Sequence, residues 1–83
     1  MDYYDTENDS PDLAEIIMSR ISSQLSTHNW SLKILSDNSG VPYETIKKIA
    51  NGKISNPSLK SILKISLAFG CTIDYLAGKE ISP

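Results

Sequence analysis

Residues 31–51 read SLKILSDNSGVPYETIKKIAN, and this stretch decides the fold. Ser31 is a residue type favoured at a helix N-cap, and Gly40 can take the left-handed conformation that ends a helix. Val41-Pro42 then predicts a turn, because proline fixes φ and opens the next segment without needing a backbone donor. We therefore predict two short helices, over residues 32–39 and 43–50, joined by a tight glycine turn.

The second of these helices has two opposed faces. Ile46, Ile49 and Ala50 fall on one side at helical spacing, which predicts contact with a core. The other side is entirely polar and consists of Tyr43, Glu44, Lys47, Lys48 and Asn51. A helix held out from a small core by the helix before it matches the dimensions of the DNA major groove.

The rest of the chain predicts three more helices and no strand, so we expect an all-α fold of five helices. Residue types favoured at a helix start occur at Ser10-Pro11, Asn56-Pro57 and Thr72. We predict helices over about residues 11–28, 57–69 and 73–77. Residues 1–9 lack helical periodicity and are interpreted as an acidic arm. The predicted organisation is therefore an arm over 1–9, a domain over 10–78 and a tail over 79–83.

Charge is unevenly distributed along the chain. Its 83 residues include eight Lys or Arg and ten Asp or Glu, a formal net charge of −2. The first twelve residues hold five carboxylates and no basic residue, so residues 13–83 carry a net charge of +3. A mildly basic body is compatible with a nucleic-acid partner. The acidic arm acts either as a solubilising tail or as a competitor of phosphate for the basic face.

The reactive side chains argue against several classes of protein. The chain has one cysteine, Cys71, and one histidine, His28. It therefore cannot form an internal disulfide, and it lacks the Cys and His ligands of a four-ligand zinc site. Nucleophile, base and orienting group do not occur at catalytic spacing, so we expect no enzyme, no metal and no cofactor. Apolar stretches are short and the N-terminus is acidic, so we also expect no membrane span, no secretory signal and a cytoplasmic location.

Residues 13–78 resemble the phage-repressor and Cro-type helix-turn-helix family, also called the XRE family. The match lies in residue type and spacing rather than in one short motif. It is carried by Leu35-Ser36, Gly40-Val41, Thr45-Ile46, Ile49, Asn51-Gly52-Lys53, Asn56-Pro57-Ser58-Leu59, Leu63-Lys64-Ile65, Ala68-Phe69-Gly70 and Thr72-Ile73-Asp74-Tyr75-Leu76. The resemblance implies a five-helix, lambda-repressor-like DNA-binding domain.

The resemblance also implies roles for individual residues. Bases would be read by Tyr43, Glu44 and Lys48. By their chemistry, Lys48 suits guanine O6 and N7, Glu44 can accept from cytosine N4, and Tyr43 can contact a thymine methyl group or a phosphate. Phosphates would be bound by the start of helix 2 and by the end of helix 3 with the loop after it, with Lys60 adding charge nearby. The phosphate-binding candidates are Ser31, Lys33, Lys47, Asn51, Lys53, Ser55 and Asn56.

This sequence departs from the family pattern at several positions. Leu32 stands where phage repressors often have a phosphate-binding glutamine, and Pro42 stands where Ser or Thr usually caps helix 3. Ile34 and Leu67 are apolar where charged residues are usual. We expect the N-terminal segment to cover Ile34.

The region of Leu67 is the one that the family uses for pairing subunits. We expect Leu67, Tyr75 and Ile81 to form a dimer interface, because two-fold operators need two recognition helices about one DNA turn apart. The alternative is that Leu67 packs within its own chain, against the arm or the tail.

The sequence therefore predicts a sequence-specific transcriptional regulator that binds double-stranded DNA. We expect a homodimer on a short palindromic operator, and repression is the simpler mechanism because it needs only binding. The alternative function is a protein-interaction module on the same scaffold, such as an antitoxin or the partner of another regulator. The low charge of the body and the apolar residues Leu32, Ile34 and Leu67 favour that alternative.

Overall fold

The computed structural model describes residues 13–79, and this part of the chain is helical with no strand. The predicted all-α class of five helices is confirmed. In chain order the helices are α1 (Leu13–His28), α2 (Leu32–Ser39), α3 (Tyr43–Ala50), α4 (Leu59–Phe69) and α5 (Ile73–Leu76). The predicted opening of α1 at Ser10-Pro11, the arm and most of the tail lie outside the described residues.

Hydrogen bonds and one glycine fix both ends of α2, including the turn into α3. The Ser31 side chain caps α2 by accepting from the amide of Ile34 at 3.2 Å. Gly40 ends α2 with φ of 78°, the left-handed conformation predicted for it. The Ser36 hydroxyl then donates to the carbonyl of Val41 at 2.7 Å, which ties the turn back onto α2. The angle between the two helices is therefore set by bonds on the inner side of the turn.

The predicted start of α4 is wrong by two residues. Ser58, rather than Asn56, is the N-cap, and its hydroxyl accepts from the amide of Ser61 at 3.1 Å. Because Ser58 has an extended backbone, with φ of −66° and ψ of 147°, Pro57 cannot be the first helical residue. The loop after α3 is therefore longer than predicted. At the other end of the domain, α5 ends at Leu76, and Ala77 is its C-cap.

The core lies between the five helices and is almost entirely aliphatic. Helix α1 packs on α3 and α5, α2 packs on α3 and α4, and α4 packs on α5. The buried side chains that meet there are Ile17, Ile21, Leu35, Val41, Ile46, Ile49, Ile62, Ile65, Phe69 and Leu76. Burial of each such side chain contributes about 1.5–3 kcal/mol, so α3 is anchored by its inner face.

Three rings close one end of this core. Trp30 stacks on Phe69 with ring centroids 5.6 Å apart, and His28 lies 4.7 Å from Trp30 and 5.4 Å from Phe69. Nδ1 of His28 also lies 3.0 Å from the carbonyl oxygen of Gln24. His28, in the last turn of α1, therefore has a packing role. Cys71 is half-buried against the core.

Candidate nucleic-acid interface

Helix α3 presents its polar face to solvent because its apolar face is fully used by the core. Ile46 and Ile49 are each 1% exposed. On the outer side Tyr43 is 41% exposed, and Glu44 and Lys48 are exposed as well. The three residues predicted to read bases therefore share one outward surface.

Charges on this surface are partly paired with one another. Nζ of Lys47 lies 3.8 Å from Oε2 of Glu44 and 5.4 Å from the ring centroid of Tyr43. Lys48 forms no ion pair within residues 13–79. An exposed pair of this kind contributes only about 0–1 kcal/mol, so a phosphate can displace Glu44 from Lys47 at little cost. Of the two α3 lysines, Lys48 can therefore bind an anion without first releasing a carboxylate.

The start of α2 lies on one flank of this surface. Ser31 is exposed, and although its oxygen caps the helix, its hydroxyl proton remains available as a donor. Lys33 is not an isolated cation, because its Nζ lies 3.0 Å from Oδ1 of Asp37. The sequence contained the signal for this pair, since Lys and Asp at i and i+4 are neighbours on a helix. Both side chains are mostly exposed, so the pair is weak.

The loop after α3 lies on the other flank and begins in a fixed geometry. The amides of Gly52 and Lys53 donate to the carbonyls of Ile49 and Lys48 at 3.1 and 2.9 Å, a Schellman ending with Gly52 at φ of 72°. A Cβ placed on Gly52 would lie 3.3 Å from Sδ of Met18, so the turn is packed against α1. The candidate phosphate ligands of this region are all exposed: Asn51, Lys53, Ser55 and Asn56.

Two of the three residues predicted for the dimer interface, Leu67 and Tyr75, lie in the described part of the chain, and their surroundings differ. Leu67 is 70% exposed on α4. Tyr75 is engaged with α1, because the Arg20 guanidinium lies 4.8 Å above its ring centroid. A hydrogen bond with the Gln24 side chain lowers the pKa of the Tyr75 hydroxyl, against an opposing effect of burial. Ile81 lies outside the described residues.

Leu67 instead continues a row of leucines along α4. Leu59 is 70% exposed and Leu63 is 43% exposed, and the three lie at i, i+4 and i+8 on one side of the helix. The alternative that Leu67 packs against the arm or the tail stays a prediction, because residues 1–12 and 80–83 lie outside the described residues. Ile34 is likewise 40% exposed, and the segment predicted to cover it lies outside the described residues. Of the three leucines only Leu67 was predicted to be exposed, although the i, i+4 spacing indicates the whole row.

Two other features, a metal-binding cluster and a membrane-spanning helix, are not found in the described part of the chain. Residues 13–79 bring together no three His, Cys, Asp or Glu side chains that could hold a metal ion. Over the same range, no helix is both long and apolar enough to cross a bilayer.

A short helix held by a tight turn, with an exposed polar face and cationic flanks, defines the class of helix-turn-helix DNA-binding domains. Comparison with protein-family models agrees with this geometry, since a model described as helix-turn-helix matches residues 27–76. The chain belongs to this family, the XRE-type helix-turn-helix proteins, as its resemblance predicted. No curated protein and no solved structure matches the chain significantly. The family is one of DNA-binding regulatory domains.

Proposed function

We propose that this chain is a cytoplasmic transcriptional repressor that binds a short palindromic operator as a homodimer and catalyses no reaction. One observation carries the proposal: α3 has an inner face locked into the core and an outer face of exposed Tyr43, Glu44 and Lys48. A helix mounted in this way can enter the major groove without disturbing its own packing. Repression then needs only occupancy of the promoter.

Base reading in this proposal depends on the three exposed α3 residues. Lys48 donates to O6 and N7 of a guanine, since its ammonium group is not held by an ion pair within residues 13–79. Glu44 accepts from the N4 amino group of a cytosine, and Tyr43 contacts a thymine methyl group. Binding of Lys47 to a phosphate would release Glu44 for this role, because the two are otherwise 3.8 Å apart.

Phosphate contacts come from both flanks of α3. On the α2 side they involve the Ser31 hydroxyl, Lys33 and the free amides of the helix N-terminus. On the other side they involve the polar side chains of the loop, which are Asn51, Lys53, Ser55 and Asn56. The loop begins in a Schellman turn that packs on Met18. The start of the loop therefore has a fixed position relative to α3.

Pairing of two copies places two recognition helices about one DNA turn, roughly 34 Å, apart. We propose that Leu67, exposed on α4, contributes to this pairing with Ile81 of the tail. Tyr75 contributes from its position beside Arg20. The pairing is isologous, so each residue of the patch meets the same patch on the second copy.

Selection of bound sequences from a random DNA pool at near-physiological salt tests the proposal. The expected result is one enriched palindrome whose half-site spacing reports the dimer geometry. Lys48→Ala should lose the preference at one base pair, whereas Lys79→Ala, at an exposed position after α5, should leave the selected sequence unchanged. A folded protein that enriches no sequence would overturn the proposal.

The second candidate function is a protein-interaction module, and the exposed row Leu59, Leu63 and Leu67 favours it. Exposed apolar residues in a continuous row on a small domain commonly mark a surface that binds another protein. The two candidates differ in their response to salt. Regulation through DNA predicts affinity that falls steeply with salt, whereas docking through leucines predicts affinity that changes little.

A further inference from the structure

The charge of this chain is divided between two parts of opposite sign. Residues 1–12 carry Asp2, Asp5, Glu7, Asp9 and Asp12 with no basic residue, a net charge of −5. Residues 13–79 carry eight basic and four acidic residues, a net charge of +4. Two of those four acids, Asp37 and Glu44, already pair with lysines of the interface. The acidic segment therefore holds most of the negative charge that could neutralise the rest of the interface.

Several lysines of the interface are available to such a segment. Lys48 and Lys53 are exposed and form no ion pair within residues 13–79. Lys33 and Lys47 are held by exposed pairs that carboxylates of another segment can replace at little cost. The same groups are those proposed to meet phosphates, so carboxylates and DNA would compete for one set of cations.

The start of α1 lies within reach of these lysines. Met18 packs against Gly52, in the turn between α3 and Lys53, with only 3.3 Å from its Sδ to a Cβ placed there. Leu13 precedes Met18 by five helical residues, a rise of about 7.5 Å. The twelve residues before Leu13 can span up to about 40 Å when extended. The acidic segment is thus attached close to the loop side of the interface and is long enough to cross α3.

We infer that residues 1–12 bind the DNA-binding surface of their own domain, built from α3 and the loop through Lys53, and compete there with nucleic acid. This inference rests on the proposed function, because it assigns the same lysines to both ligands. A tethered ligand acts at an effective concentration of the order of millimolar, so contacts too weak to detect between separate molecules are populated. The segment lowers the affinity for an operator and for random DNA by the same factor, so random DNA, held by charge alone and therefore more weakly, loses its occupancy first.

Two matched variants separate this contact from net charge. Glu7→Gln with Asp9→Asn neutralises two acids of the segment. Glu15→Gln with Asp74→Asn neutralises two exposed acids of the body that form no ion pair within residues 13–79. Both variants shift the net charge by the same amount. Fluorescence anisotropy with a labelled duplex of mixed sequence, over about 50–200 mM salt, reports affinity and its salt dependence.

The segment variant should bind this duplex about threefold tighter than the unmodified chain, because a competitor at roughly millimolar effective concentration is weakened by the loss of two of its five charges. Its salt dependence should be steeper by about 0.9 in slope for each lysine freed, since DNA then displaces counterions instead of carboxylates. The body variant should change affinity by clearly less. Equal changes in the two variants would mean that only net charge matters and would overturn the inference.

Amide shifts of the DNA-free protein test the contact without any nucleic acid. Neutralising Glu7 and Asp9 should shift amides of residues 43–53, high salt should abolish the difference, and dilution should not. Shifts that depend on protein concentration would place the segment on a second copy and overturn the inference. If neither variant bound DNA while these shifts persisted, the proposed function would fail and the contact would stand. If DNA bound alike with no shifts, the contact alone would fail.

Discussion

A pair of glycine substitutions tests how α5 is held against α1. Gly70 and Gly78 both follow a helix, with φ of 77° and 86°. Alanine at either position places a Cβ on left-handed backbone, which costs about 1–2 kcal/mol. The two sites differ in their surroundings. A Cβ at Gly70 meets nothing within 4 Å, whereas a Cβ at Gly78 would lie 2.7 Å from Cγ2 of Ile16.

The size of the difference follows from the stiffness of Ile16. A β-branched side chain in a helix has one strongly preferred χ1 rotamer, so Cγ2 cannot swing away. The backbone after α5 must shift instead, and forced overpacking of this kind costs typically about 1–3 kcal/mol. We expect Gly70→Ala to lower the free energy of unfolding by about 1–2 kcal/mol and Gly78→Ala by about 2–5 kcal/mol.

Urea unfolding followed by fluorescence of Trp30 measures both variants. A double-mutant cycle with Ile16→Ala isolates the contact, because that substitution removes Cγ2. The cost of Gly78→Ala should fall by at least about 1 kcal/mol in the Ile16→Ala background. Equal costs for Gly70→Ala and Gly78→Ala, or a cycle without coupling, would refute the close packing of the turn after α5 on α1.

Three further predictions concern the DNA-binding face of α3, the N-cap of α4 and the pairing of two copies. Lys48→Ala should lower specific affinity by about 1–3 kcal/mol and relax preference at one base pair, whereas Lys47→Ala should weaken binding to all sequences alike; binding curves on single-base-substituted operators distinguish the two, and the reverse pattern would contradict the assignment. Ser58→Ala should destabilise the domain by about 1 kcal/mol in urea unfolding and Asn56→Ala by much less, because Ser58 is the cap of α4; equal losses would contradict this. Leu67→Glu should shift the proposed homodimer towards monomer in sedimentation equilibrium, and an unchanged profile would count against pairing through this leucine.

Local signals in the sequence were sufficient for α2 and α3. Ser31, Gly40 and Pro42 each act within one turn of helix, so their effects do not depend on distant parts of the chain. The same holds for the two faces of α3, since the spacing of Ile46 and Ile49 alone determines which side is buried. These elements carry the proposed interface, so the exposure of its central face could be predicted without the structure.

Competition between equivalent local signals explains the error in α4. Asn56 and Ser58 are both good N-caps, and Pro57 is favoured at a first helical position. Which cap is used depends on where Ile62 and Ile65 must lie to reach the core, and that is a tertiary constraint. The engagement of Tyr75 with Arg20 is of the same kind, because it depends on how α5 is placed against α1. Sequence periodicity contains neither piece of information.

The proposed interface is tightly packed on the side that faces the core, whereas the ion pairs on its solvent side are weak. Behind it, Ile46 and Ile49 are buried, Ser36 ties the turn, and Gly52 packs on Met18. In front, the ion pairs of Lys33 and Lys47 are exposed and individually weak. Exchange of these partners for phosphate, as the proposed function requires, can therefore occur by side-chain rotation. Under the proposed function, a backbone held by these buried contacts lowers the ordering cost of binding, and specificity depends on the few side chains that reach the bases.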